Sequence, residues 1–131
     1  MLSIVNGNVY AYALNHDDST STLITSFKSG QPYIMSLYFD RDTGYLWAGC
    51  DNTCDGRMNV LTLDTGGMFI VKATFKRPTS FGNYNNEGFA LLPESECDAD
   101  GYKAVFWADD DCDDGHALYQ DTIPCGKFLS V

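Results

Sequence analysis

Residues 36–63, SLYFDRDTGYLWAGCDNTCDGRMNVLTL, decide the fold because a later stretch repeats their plan. Residues 88–119, GFALLPESECDADGYKAVFWADDDCDDGHALY, follow the same order of parts. Each stretch has an apolar strand, a turn, a strand that ends in Trp-Ala, an acidic loop that contains Cys and Asp-Gly, and a further strand. The two stretches begin 52 positions apart, and 60 positions separate Trp47 from Trp107 because the second stretch has the longer turn. The chain therefore contains an internal repeat of strand-rich units.

Short segments rich in β-branched and aromatic residues occur throughout the chain, and they predict strands. The predicted strands are 8–14, 22–27, 34–39, 45–48, 60–63, 68–75, 88–92, 104–108 and 116–119. Turn sequences such as NG, DTG, TGG and DADG lie between them, and their Gly and Asn residues supply the positive φ of tight hairpins. No window keeps apolar residues at helical spacing over three turns. The sequence therefore predicts an all-β protein.

A repeat of about 50 to 60 residues with four short antiparallel strands is typical of one blade of a β-propeller. On this interpretation residues 1–29 form outer strands of one blade, 33–75 form a complete blade, and 86–125 form most of the next. Propellers close with about four to eight blades. We therefore expect an incomplete ring: the C-terminal fragment of a longer protein, a subunit whose ring is completed by other chains, or an open β-structure.

The charge of the chain limits the classes of partner. Of 131 residues, 8 are Lys or Arg and 18 are Asp or Glu, which gives a formal net charge of −10. This field repels polyphosphates and anionic lipid, so nucleic acid and membrane surfaces are excluded as expected partners, while small polar molecules and carbohydrates remain. No stretch approaches the about 20 apolar residues of a membrane helix. The first residues, MLSIVNGNVYAYAL, have neither the basic start nor the apolar segment of a signal peptide.

Five cysteines in so short a chain predict disulfides and an oxidising compartment. No C-x-x-C pair occurs, so a structural zinc site is disfavoured. Cys50 and Cys54 bracket a short turn and are within reach of each other. Cys97 with Cys125 would fasten the end of the last blade and leave Cys112 over, and Cys97 with Cys112 is the alternative.

Two elements resemble a known group of proteins. NNEGFALLP (85–93), followed by FWADD and GHAL, is similar to the Asn-Glu-Gly-(Leu/Phe)-Ala element of secreted propellers of the "esterase-like activity of phytase" type. The resemblance to senescence-marker lactonase and NHL-repeat propellers is looser. The resemblance as a whole covers residues 33–125 and implies a secreted propeller. It does not imply one reaction, because propellers of one architecture include lactonases, lyases, phytases and binding scaffolds.

Glu87 is the first candidate site residue, because it stands where a channel-lining strand begins. In the related lactonase propellers a glutamate at this place is a metal ligand, so the resemblance implies that Glu87 binds a divalent cation. Asn85 and Asn86 could supply amide oxygens, which hard cations prefer together with carboxylates. The alternative is that Glu87 caps the strand or faces solvent. Met35 occupies the matching position of the preceding blade, so the repeat itself requires no charge there.

The acidic loop WADDDCDDGHAL (107–118) is the second candidate. Clustered carboxylates repel each other unless a cation neutralises them, so Asp109 and Asp111 are candidate Ca²⁺ ligands. The loop departs from an EF-hand, because Cys replaces an oxygen ligand and no helices flank it. His116 is a candidate ligand-binding residue at the start of the following strand. Asp109 has a structural alternative as a turn anchor.

Taken together, the residues and the resemblance lead to two expectations for function. The first is an extracellular hydrolase or lyase with a ligand and metal site at the channel mouth near Glu87. The second is a propeller without catalytic activity that binds a glycan or a protein through its loops. No G-x-S-x-G motif surrounds Ser36, so a serine-hydrolase triad is not expected.

Overall fold

The computed structural model describes residues 2–50, 52–81, 85–110 and 117–126, with residues 2–5 described by their backbone alone. These residues form ten β-strands and three single-turn 3₁₀ segments. The strands are β1 (Leu2–Val5), β2 (Asn8–Asn15), β3 (Thr20–Lys28), β4 (Ser36–Asp40), β5 (Tyr45–Gly49), β6 (Met58–Leu63), β7 (Phe69–Phe75), β8 (Asn86–Leu91), β9 (Tyr102–Asp109) and β10 (Leu118–Pro124). The all-β prediction is confirmed.

The strands form three antiparallel sheets in which neighbours along the chain pair with each other. The first sheet contains β1–β3, the second contains β4–β7, and the third contains β8–β10. The hairpin between β1 and β2 has Asn6 at φ 48° and Gly7 at φ 72°, the conformation that two-residue hairpin turns require. The strand order is that of sequential up-and-down sheets; that the sheets are propeller blades stays a prediction.

The sheet limits can be compared with the segments predicted from the sequence. All four strands of the second sheet lie within 33–75, and the three strands of the third sheet lie within 86–125. Residues 1–29 hold three strands, because β1 precedes the two that the sequence pattern indicated. The predicted strand 116–119 begins outside the described residues, and the structure describes β10 from Leu118 onward.

The strand β5 is buried on both of its faces, to which successive side chains point alternately. All five residues of β5 are buried. Leu46 and Ala48 pack into a cluster with Val9 and Phe27 of the first sheet. Tyr45 and Trp47 pack into a second cluster with residues of the third sheet, among them Trp107. The two tryptophans at equivalent repeat positions are therefore core residues between neighbouring sheets.

A buried ion-pair network joins the second and third sheets at one end of their interface. The side chain of Lys103, in β9, is 1% exposed, and its Nζ lies 3.2 Å from Asp40 Oδ2 and 2.5 Å from Glu94 Oε1. Asp40, at the end of β4, also accepts hydrogen bonds from Thr43 Oγ1 at 2.7 Å and from the N–H of Asp42 at 3.1 Å. Each charge is thus paired and hydrogen-bonded, which is what burial of an ion requires.

The protonation of this network follows from two opposed effects. Burial acts to raise the pKa of Asp40, but the hydrogen bonds from Thr43 and Lys103 outweigh it and hold that pKa below its ordinary value. Burial acts to lower the pKa of Lys103, but the bonds to Glu94 and Asp40 outweigh it and raise that pKa. Both groups are therefore charged across the neutral range.

Two disulfides are present in the described part of the chain, and both match predicted pairs. Cys50 is bonded to Cys54 and Cys97 to Cys125, with Cα atoms 6.0 and 6.3 Å apart. The alternative pair Cys97–Cys112 is wrong, because Cys97 is bonded to Cys125; Cys112 itself lies outside the described residues. The disulfides indicate an oxidising environment. Among the described residues, no helix has the length and hydropathy needed to cross a membrane.

Replacing Lys103 by Met should leave the Asp40 carboxylate buried without its counter-ion. We expect the free energy of unfolding, measured by urea denaturation, to fall by about 3–5 kcal/mol. The matched control is Lys72→Met, because Lys72 is exposed on β7 and its replacement should change stability by less than about 0.5 kcal/mol. Equal stability of the two variants would show that the network does not hold the sheets together.

The same network predicts two limits of pH stability. Because the folded pKa of Asp40 is lowered, the stability that it contributes is present above about pH 4 and is lost as the pH falls below the ordinary value for aspartate. Because the folded pKa of Lys103 is raised, its contribution is present below about pH 10 and is lost as the pH rises through the folded value. Urea denaturation between these limits and at each extreme measures both losses, and the Lys103→Met variant should lack the alkaline one.

Candidate functional site

The start of β8 contains a β-bulge, and Glu87 is its extra residue. Asn86 lies opposite Asp109 of β9, and the next aligned pair is Gly88 with Ala108. Bulges add one residue to one strand, turn side chains in new directions and are frequent next to active sites. The candidate carboxylate therefore lies at an irregular point of the sheet.

The bulge decides which side chain enters the interface between the sheets. Phe89 and Leu91, further along β8, face the second sheet. Under strict alternation Glu87 would share that face, because residues two apart in a strand point the same way. The bulge interrupts the alternation, so that Asn86 is fully buried while Glu87 is exposed. A buried carboxylate would carry a large desolvation cost, and the bulge avoids it.

Asn86 lies in a small polar contact between β8 and the second sheet. Its Nδ2 donates to Ser36 Oγ at 3.2 Å, across the gap between β8 and β4. Its Oδ1 is buried and has no hydrogen-bond donor among the described residues. Gly49 of β5 completes the contact, because a Cβ at this position would lie 2.7 Å from Asn86 Nδ2 and 2.8 Å from Met58 Sδ. An unsatisfied buried acceptor marks a place where a water molecule or another donor fits.

A second polar contact joins the start of β8 to the end of β9. The N–H of Asn85 donates to Asp109 Oδ1 at 2.9 Å, and Asn85 Nδ2 donates to Asp110 Oδ2 at 2.8 Å. The N–H of Asp110 in turn donates to the carbonyl of Asn85 at 3.2 Å. These bonds hold an amide and two carboxylates together next to the Glu87 bulge. They also give Asp109 the turn-anchoring role that the sequence offered as its structural alternative.

Of the candidate site residues, the structure brings Asn85, Asn86 and Asp109 to the same end of β8 as Glu87. Asp111 and His116 lie outside the described residues. Within the described segments, one group of three metal-binding residue types converges within 4.8 Å: Glu94, Cys97 and Cys125. Both of these cysteines are in the disulfide, so the group is not a metal site. Glu87 therefore lies at the same end of β8 as the carboxylates of Asp109 and Asp110, but these three acids do not form such a converging group among the described residues.

Met35 marks the corresponding end of the second sheet, just before β4. It is 38% exposed, and its N–H donates to the carbonyl of Gly49 at 2.9 Å. The two sheets differ here, because an apolar side chain precedes β4 and a carboxylate lies at the start of β8. The candidate site is therefore particular to the third sheet.

Sequence reasoning missed Ser36 and Gly49 as parts of this site. Their contacts with Asn86 cross from one sheet to the next, over 50 positions in the case of Ser36. The available signal was the repeat itself, since Ser36 and Gly88 begin equivalent stretches and so place β4 next to β8. No protein-family model, curated protein or solved structure matches this chain. The case for a site therefore comes from these contacts.

Replacing Gly49 by Ala should disturb the contact between Asn86 and Ser36. The added methyl group overlaps buried neighbours, so we expect the free energy of unfolding to fall by about 1–3 kcal/mol in urea denaturation. Gly66→Ala is the matched control, because the nearest atom to its Cβ is Asp64 Oδ1 at 3.3 Å, on an exposed side chain. A loss of stability at position 66 as large as that at position 49 would contradict the tight packing described for Asn86.

Proposed function

We propose that the chain is a segment of an extracellular β-propeller protein whose ligand site lies at the start of β8. Glu87 is its central residue, with Asn85, Asn86 and Asp109 around it. A divalent cation, Ca²⁺ by the chemistry of the donors, binds there together with a small polar molecule or a carbohydrate. The parent protein is a hydrolase or lyase on this proposal. The remaining blades come from the same parent chain or from other chains.

The observation that carries the proposal is the bulge at Glu87. It exposes a carboxylate at the end of a sheet, while the neighbouring amide of Asn86 is buried and its Oδ1 has no donor among the residues that the structure describes. A strand that only filled the core would need neither feature. Irregular backbone with an exposed acid and an unused acceptor is typical of a site that receives a ligand.

The donor set determines which chemistry is available. Carboxylate and amide oxygens are ligands for hard cations such as Ca²⁺. A cation held there would polarise a carbonyl or phosphoryl oxygen, and a carboxylate that is not bound to it could accept a proton. Ser36 is buried and accepts a hydrogen bond from Asn86, which suits a packing role. The site therefore favours cation-assisted or carboxylate chemistry over a serine nucleophile.

The alternative function is a propeller that binds a glycan or a protein without catalysis. It is favoured by apolar side chains that are exposed on strands at the sheet edges. Leu23 and Ile24 of β3 are 50% and 66% exposed, and Leu118 of β10 is 62% exposed. Such side chains are available to a partner surface.

Titration with Ca²⁺, followed by calorimetry and by thermal unfolding, tests the proposed site. We expect binding that is weakened about tenfold or more by Glu87→Gln, because the change removes a charged ligand. At about 100 times its Kd the cation should raise the free energy of unfolding by about 2.7 kcal/mol. Hydrolysis of aryl esters, lactones and phosphate esters is measured in parallel, with and without a chelator.

Glu96→Gln is the matched control, because Glu96 is exposed in the turn after β8. It should leave Ca²⁺ binding unchanged. If chelator has no effect and the two variants behave alike, the cation site at Glu87 is refuted. Turnover that survives both Glu87→Gln and chelator would indicate an enzyme whose catalytic site lies elsewhere.

A further inference from the structure

A cleft opens between the outer strands of the second and third sheets, away from the start of β8. It has a volume of about 230 Å³. Its walls are largely apolar and come from both sheets. The residues that matter for recognition are Trp47, Phe75, Phe89, Trp107 and Ile123. The cleft is smaller than the about 300 Å³ at which sites for drug-sized ligands begin, so it suits a compact molecule.

The aromatic residues in the cleft are arranged to contact a flat ring. Trp47 and Phe75 are stacked, with ring centroids 5.9 Å apart and an interplanar angle of 23°. Phe89 and Trp107 meet edge to face at 5.7 Å. Phe75 is 41% exposed, so part of its side chain faces solvent. Aromatic rings gain further stabilisation when an added ring meets their faces or edges.

A cationic cavity of about 390 Å³ adjoins this cleft and shares Lys76, Arg77 and Pro78 with it. Arg57 also lines the cavity, so three of the 8 cationic residues of a chain with net charge −10 meet here. Two carboxylates are nearby, Asp55 in the cavity and Asp121 in the cleft. Among the described residues, cations therefore outnumber acids around these two cavities, in contrast to the charge of the chain as a whole.

The hydrogen bonds of the polar groups around the cleft differ, and they indicate which group is best placed to bind an anion. Arg57 Nε donates to the carbonyl of Cys54 at 2.9 Å, and Arg77 Nη1 donates to Asn52 Oδ1 at 3.0 Å. These bonds fix the direction of both guanidinium groups. Lys76 is exposed and forms no ion pair within the described segments. Trp107 is 7% exposed, and its Nε1 has no hydrogen-bond acceptor among the described residues.

We propose that this cleft binds a compact aromatic carboxylate. The ring lies against Phe75 and Phe89, which cover the buried Trp47, and the carboxylate faces Lys76 at the junction with the cationic cavity. The apolar walls exclude water from the ring, and the local excess of positive charge selects the acid over a neutral molecule of the same shape. The site shares no residue with the one proposed at Glu87, so either can fail without the other.

Tryptophan fluorescence measures binding at this cleft directly. The chain has two tryptophans, Trp47 and Trp107, and both line the cleft. The probe is 3-phenylpropionate, and its amide is the neutral control of the same shape. We expect a saturable change with the acid and an affinity about tenfold lower for the amide, because a charge-assisted bond is lost. Added salt should weaken binding of the acid more than binding of the amide.

Lys76→Gln should bring the affinity for the acid down to that for the amide, and the exposed position of Lys76 lets the variant fold. Lys72→Gln is the matched control, because Lys72 is exposed on β7, four residues before Lys76, and does not line the cleft. This variant should keep the preference for the acid. Equal affinities for acid and amide in the unchanged protein would refute the anion site. No saturable change up to about 10 mM, which corresponds to a binding free energy weaker than about −2.7 kcal/mol, would also overturn the proposal.

Discussion

The burial of β5 on both faces is the constraint on which the rest of the structure depends. Each of its five residues is buried, and a single sheet can cover only one side of a strand. A sheet is therefore needed against each face, and the first and third sheets fill those places. The three sheets stack because the most apolar strand of the repeat cannot be shielded in any other way. The Lys103 network and the Asn86 contact then fix the two ends of the second interface.

Much of this fold could be predicted from the sequence, because strand patterns and turn residues are local. The β-branched and aromatic residues of the strands and the Gly-containing turns between them indicate antiparallel strands directly. β1 was missed, although Asn6-Gly7 between two apolar runs is a strong hairpin signal. The pattern in residues 2–5 is only four residues long, so it carries little periodicity.

The parts that sequence reasoning did not find depend on contacts between distant residues. Lys103 and Asp40 are 63 positions apart, and nothing in either local sequence indicates a buried ion pair. The bulge at Glu87 is a shift in register against β9, which becomes visible when both strands are paired. The cationic cavity combines a turn after β5 with the end of β7. In each case the chemistry arises from tertiary packing, and the sequence supplied the residue types without their positions.

The bulge has a consequence for how this protein can change over evolutionary time. Residue 87 is exposed beside a core whose packing is completed by residues 86, 89 and 91. Substitutions at position 87 therefore alter the chemistry at the end of the sheet without opening a cavity in the core, unlike changes to the buried residues of the strand. The backbone irregularity separates the evolution of a surface group from the conservation of the core beneath it. One scaffold can in this way acquire, lose or exchange a charge at the same position while its three sheets stay in place.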